Sequence, residues 1–180
     1  MSKFFDFSAL KKICFSVNGV VRIAVVAALY FALTLFIAPI AYGPVQFRLS
    51  ETLMLLCFFN PEYIISMIIG CALANIVGPF GLADVIFGSA ATAVAAILMS
   101  GCKNIWISSI FPTITNGLLI GFMLFFFFNE PIVLSILTVS LGEFMVVSVS
   151  GVALFRFLFM KYPVFMKLIG ALPEKYLKKI

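Results

Sequence analysis

The sequence predicts an all-α membrane protein, a bundle of six transmembrane helices with both termini cytoplasmic. Composition is the first reason: of 180 residues, 64% are hydrophobic and 11% are charged, where a soluble domain is about half apolar and a quarter charged. The second is a series of apolar runs separated by short turn-rich links; about 20 apolar residues cross a bilayer as a helix. The third is the placement of the 12 basic residues. With six spans and both ends inside, Lys3, Lys11, Lys12, Arg22, Lys103, Arg156, Lys161, Lys167, Lys175, Lys178 and Lys179 lie on the cytoplasmic side. Arg48 alone is left outside, so the pattern follows the positive-inside rule. The net charge of +5 therefore reports membrane orientation and not nucleic-acid binding.

The length suits a single domain, with residues 1–18 as an interfacial segment, 19–160 as the bundle and 161–180 as a basic amphipathic tail. Charges at Lys3, Asp6, Lys11 and Lys12 argue against a cleavable signal. The first span runs from about Gly19 to Ile40 and carries the small-residue positions Ala24, Ala27, Ala28 and Ala32. Such a seam admits another helix at close range, inside the bundle or from a partner. Ala41-Tyr42-Gly43-Pro44 is a turn. The apolar run Thr52–Phe59 is too short to cross as a straight helix. Either the helix starts further back, near Gln46, or the link dips into the membrane and lines a cavity.

Asn60-Pro61-Glu62 reads as a helix start opening the third span, about Glu62 to Val77. After the Gly78–Gly81 turn, the fourth span covers about Leu82 to Met99, with a seam of Gly88, Ala91 and Ala95. The fifth covers about Ile105 to Phe128, with Pro112 and Asn116-Gly117 predicting a kink. The sixth runs from about Pro131 to Phe159.

In this topology Gln46, Arg48, Glu51, Asn75 and Asp84 fall in the outer half, and Asn116 and Glu143 near mid-depth. The inner half has almost no comparable residues between its cytoplasmic ends. Such side chains are costly in a bilayer unless paired or liganded, and their collection on one side suggests a pocket open to the outside. Structural alternatives exist. Asp84 can stabilise a helix N-terminus, Asn75 and Asn116 can join helices, Glu130 can cap beside Pro131, and Arg48 can pair with Glu51. Glu143 in mid-span is the hardest to explain structurally.

Amides, carboxylates and one guanidinium suit a planar nitrogen heterocycle. A carboxylate accepts two parallel N–H bonds from an aminopyrimidinone edge, Asn and Gln read the remaining donors and acceptors, and a second carboxylate suits a cationic substituent. Tyr42, Phe47 and Phe80 are candidates to stack on the ring. Histidine is absent, and Cys14, Cys57, Cys71 and Cys102 form no Cys-x-x-Cys pair and read as small buried hydrophobes. No metal cluster, cofactor motif, phosphate loop or nucleophile–base pair is present.

Arg-Ile-Ala-x-x-Ala-Ala-Leu-Tyr at 22–30 and Tyr-Gly-Pro-Val-Gln-Phe-Arg-Leu-Ser-Glu at 42–51 resemble the QueT family, the substrate-binding (S) components of energy-coupling factor transporters. Asn75, Gly-x-x-Asp at 81–84, Asn116-Gly117 and Gly-Glu at 142–143 fall at that family's other expected polar positions. The resemblance implies a six-helix S component that captures a queuosine precursor or related deazaguanine outside the cell. It implies a transmembrane coupling subunit and two cytoplasmic ATPases as partners, with the seam at Ala24, Ala28 and Ala32 docking on the coupling subunit. Other readings are an S component for another heterocyclic vitamin, a membrane-embedded enzyme using Glu51, Asp84 and Glu143, or a small channel.

Overall fold

The computed structural model describes residues 16–43, 45–161 and 169. Among these, all regular structure is helical. Helix α1 spans Val17–Phe36 and starts where the Ser16 hydroxyl accepts a bond from the Gly19 N–H at 3.1 Å, an N-cap that satisfies one orphan donor. One further turn, α2 (Ala38–Ala41), follows. After an irregular link, a 3-10 stretch Leu49–Leu55 runs directly into α3 (Leu56–Phe59). Then come α4 (Tyr63–Val77), α5 (Gly81–Ser100) and α6 (Ile105–Phe128). The last membrane-length run is α7 (Ile132–Glu143), a π-helical stretch (Phe144–Gly151) and α8 (Val152–Lys161).

Among the described residues, four helical runs are long and apolar enough to cross a membrane: α1, α5, α6 and the continuous run Ile132–Leu158. Leu49–Phe59 and α4 are apolar but shorter. The 15 residues of α4 extend about 22 Å, less than a hydrocarbon core of about 30 Å.

The Leu49–Phe59 segment is wrapped by the others. Its residues from Ser50 to Phe59 are buried except for Leu53. Around it α1 packs on α4, α4 on α5, α5 on α6 and α6 on α7, while the 3-10 and π stretches meet each other. Met54, Leu55, Cys57, Met67, Met99, Ile105 and Val147 form the main core, and Ile120, Met123 and Val139 a smaller one. Leu82, Ile86, Phe126, Val133 and Leu137 face outward, which suits lipid contact. Helices α6 and α7 touch almost backbone to backbone, because a Cβ on Gly117 would lie 2.0 Å from Ser140 Oγ and one on Gly121 2.5 Å from Ile136 Cγ1. This Gly-x-x-x-Gly spacing is a close-packing face.

Several local expectations are refined. The first helix starts at Val17 and stops at Phe36, before Pro39. The helix after the link begins at Leu49, leaving Val45–Arg48 irregular. Pro112 sits within an uninterrupted α6. The Asn60 side chain accepts from the Glu62 N–H at 3.1 Å, one turn before α4 begins at Tyr63. Cys57 and Cys71 are buried free thiols, and Cys102 is half-buried. The N-terminal interfacial segment up to residue 15, Cys14 and the tail apart from Ile169 lie outside the described residues.

Candidate functional site

The link and 3-10 stretch carry Gln46, Arg48 and Glu51. Asn75 comes from α4, Asp84 from α5, Asn116 from α6 and Glu143 from α7. All seven are buried, none more than 5% exposed. At that depth each polar atom needs a partner or costs stability.

Three of them form one knot. Arg48 Nη2 donates to Asp84 Oδ2 at 2.9 Å and Arg48 Nη1 to Asn75 Oδ1 at 3.2 Å. The Asn75 amide donates to the Asp84 carbonyl at 2.9 Å. The guanidinium also lies 5.4 Å from the centroid of the Tyr42 ring, a cation–π contact, while the Tyr42 hydroxyl donates to the Ala74 carbonyl at 2.6 Å. Two expectations change here. The ion pair of Arg48 is with Asp84 and not with Glu51, and the Tyr42 ring is engaged by Arg48 rather than standing free to stack on a ligand. Asn75 has both ends of its amide bonded within the protein.

Glu51 and Glu143 are held differently. Glu51 Oε1 accepts the hydroxyl proton of Tyr30, and Glu143 Oε1 accepts from Asn116 Nδ2 at 2.7 Å. Among the described residues, the second oxygen of each carboxylate has no hydrogen-bond partner, and neither do Arg48 Nε and Asp84 Oδ1. The groups form one electrostatic set: Arg48 and Asp84 act on Glu51, and Arg48 and Glu51 act on Glu143. Arg48 and Asp84 offset each other, which leaves two carboxylates whose protein partners are neutral.

The backbone positions the set. Gln46 takes φ of 50°, a region most side chains avoid. Its carbonyl accepts from the Arg48 N–H at 2.9 Å, a tight turn that presents Arg48 to α4 and α5. The link then runs against α7, where a Cβ on Gly142 would stand 2.2 Å from the Val45 carbonyl oxygen. Only glycine there lets the link lie beside Glu143.

Other candidates sit elsewhere. Glu130 is exposed in the α6–α7 turn. The Phe80 ring packs edge-on to Phe128 with centroids 5.2 Å apart. Phe47 lines an apolar hollow of about 390 Å³ with Ile37, Ile40, Leu49, Met145, Val146 and Ser150. Ala24, Ala28 and Ala32 are exposed on α1, whose packing face is instead Ile23, Ala27, Tyr30 and Thr34.

Two buried-carboxylate contacts were missed by sequence reasoning. Tyr30 on Glu51 is one; a phenol inside an apolar helix carried no signal of its own. The other is a half-buried ion pair before α4, where Arg22 Nε and Nη2 donate to buried Glu62 Oε1 and Oε2 at 2.7 and 3.1 Å. Glu62 therefore does more than open a helix, and the end of the bundle opposite Asn75 on α4 is not free of buried charge.

An all-helical bundle with several apolar helices of membrane-crossing length defines the class, a polytopic membrane protein. The family model described as QueT transporter matches residues 20–159, and the chain belongs to that family of transporters. Over 77 residues it is 48% identical to the "Queuosine precursor transporter QueT" of Lactococcus lactis subsp. cremoris (strain MG1363). That alignment covers 42% of this chain and 45% of the relative, so the matched region spans less than half of the relative's length. No solved structure matches.

Proposed function

We propose that this chain is the substrate-binding S component of an energy-coupling factor importer, capturing a queuosine precursor, a 7-deazaguanine base, from outside the cell. The family membership and the name of the Lactococcus relative support the transport of such a precursor. The observation that carries the site is the pair of unpartnered oxygens, Glu51 Oε2 and Glu143 Oε2, on buried carboxylates from separate elements. One carboxylate suits the paired N–H donors of the aminopyrimidinone edge. The other suits a cationic substituent, since Arg48 is already matched by Asp84. Arg48 Nε, also unpartnered, suits a ring acceptor. Asn116 orients Glu143, and Asn75 and Gln46 hold Arg48 in place.

In this reading the chain spans the cell membrane six times with both termini cytoplasmic. Leu49–Phe59 and α4 are the two short spans; the first is tolerated because protein covers it, while α4 keeps an exposed apolar stripe at Ile65, Ile69, Leu73 and Ile76. The exposed alanines Ala24, Ala28 and Ala32 dock on the transmembrane coupling subunit, which two cytoplasmic ATPases drive. The test is to purify the protein, identify the co-purifying small molecule by mass spectrometry, and titrate 7-deazaguanine bases carrying a neutral or an aminomethyl substituent. Glu51→Gln and Glu143→Gln each weaken binding by about tenfold or more, the value of a charge-assisted hydrogen bond. Unchanged affinity in both variants refutes the site.

A further inference from the structure

Resting on that reading of the site, we infer that Tyr30 is its positioning residue: the phenol holds Glu51 Oε1 so that Oε2 is the oxygen offered to an N–H donor of the ligand. Glu51 lies on a 3-10 stretch and is buried, so its carboxylate needs a hydrogen-bond donor to hold it. Tyr30 supplies it from another element. The ring is fully buried, and its hydroxyl donates to Glu51 Oε1.

The ring itself has no room to move. A Cβ on Gly70 of α4 would lie 2.8 Å from Tyr30 Cβ, 3.0 Å from Tyr30 Cγ and 3.0 Å from the Ala27 carbonyl oxygen. Glycine at 70 thus lets α4 close on α1 and clamp the base of the tyrosine side chain. One turn later Thr34 Oγ1 bonds its own helix at the Tyr30 carbonyl, 2.9 Å away, and lies 2.7 Å from Ser50 Oγ. Helix α1 is therefore tied to the 3-10 stretch at two successive residues, Ser50 and Glu51. Only the Tyr30 tie ends on a group with an unpartnered second oxygen. The Thr34–Ser50 tie closes on itself and serves as the internal control.

The experiment is a double-mutant cycle on the full chain, titrated in detergent with the 7-deazaguanine base that wild type binds most tightly. Tyr30→Phe keeps the ring and removes the hydroxyl; affinity falls by about tenfold. In a Glu51→Gln background the acceptor is neutral, its hydrogen bond is weaker, and the same change costs about threefold or less. Thr34→Val, in contrast, gives the same factor with or without Glu51→Gln. Tyr30→Phe affinity within twofold of wild type overturns the inference, as do Tyr30→Phe and Glu51→Gln losses that multiply fully. Loss of the thermal unfolding transition in Tyr30→Phe also overturns it, because the hydroxyl is then a structural tie. Wild type that binds no deazaguanine refutes the transport reading and with it the site assumed here; wild type that binds, with Tyr30→Phe its equal, refutes the role of Tyr30 alone.

Discussion

The Arg22–Glu62 pair and the Glu51–Glu143 pair of carboxylates use the same chemistry to opposite ends. Glu62 is buried, and both its oxygens are held by one guanidinium in a bidentate fork, the geometry that compensates best for lost hydration. Glu51 and Glu143 are also buried, yet each has one oxygen bonded to a neutral donor and one bonded to nothing among the described residues. A buried acceptor left in that state costs about 1–3 kcal/mol. A fully paired carboxylate supports the fold. A half-paired one spends stability, and in the proposed reading a partner from outside the chain completes it.

The largest effect that would test this contrast comes from the knot between the two kinds. Arg48→Met strands Asp84 as an unpaired buried charge, and unfolding in detergent shows a loss of about 3–5 kcal/mol. Restoring neutrality with Asp84→Asn recovers part of it. Gly142→Ala forces the Val45 carbonyl off α7 and costs about 1–3 kcal/mol as overpacking; ligand affinity falls with it, read in the same samples by titration. Glu62→Gln lowers stability by about 1–2 kcal/mol, the lesser figure because the Arg22 side chain is one third exposed and regains water. Its ligand affinity stays at the wild-type value, and a drop would break the division between supporting and binding carboxylates. The smallest change in stability is in Glu51→Gln and Glu143→Gln, whose unfolding stays within about 1 kcal/mol of wild type or rises. A large loss of stability in both would place them with Glu62.

Much of this was legible from residue types alone. Arg48, Asp84, Glu51 and Glu143 stand out because ionisable side chains inside apolar runs need a cause, and short turn-rich links limited which helices are neighbours. What escaped was partner choice. Arg48 has acidic residues at 51 and 84 to choose from, and only the turn at Gln46 directs it to Asp84. Tyr30 and Arg22 looked like an ordinary core aromatic and a flanking charge, since their partners lie 21 and 40 residues away. Backbone register was also hidden. Nothing in the apolar pattern separates the 3-10 start at Leu49 or the π stretch after Glu143 from an α-helix, because buried helices are hydrophobic on every side. The pair Gly117 and Gly121 did carry a usable signal for the α6–α7 approach.

That π stretch has a geometric result. Glu143 and Ser148 are five residues apart, and both reach α6, where Asn116 donates to Glu143 and Ser148 donates to the Ser109 carbonyl at 3.1 Å. On an α-helix, side chains five positions apart point about 140° away from one another. The wider coil brings them onto one side, so a single neighbour grips this strut at two heights, and winding the same residues back into an α-helix would turn one of them away.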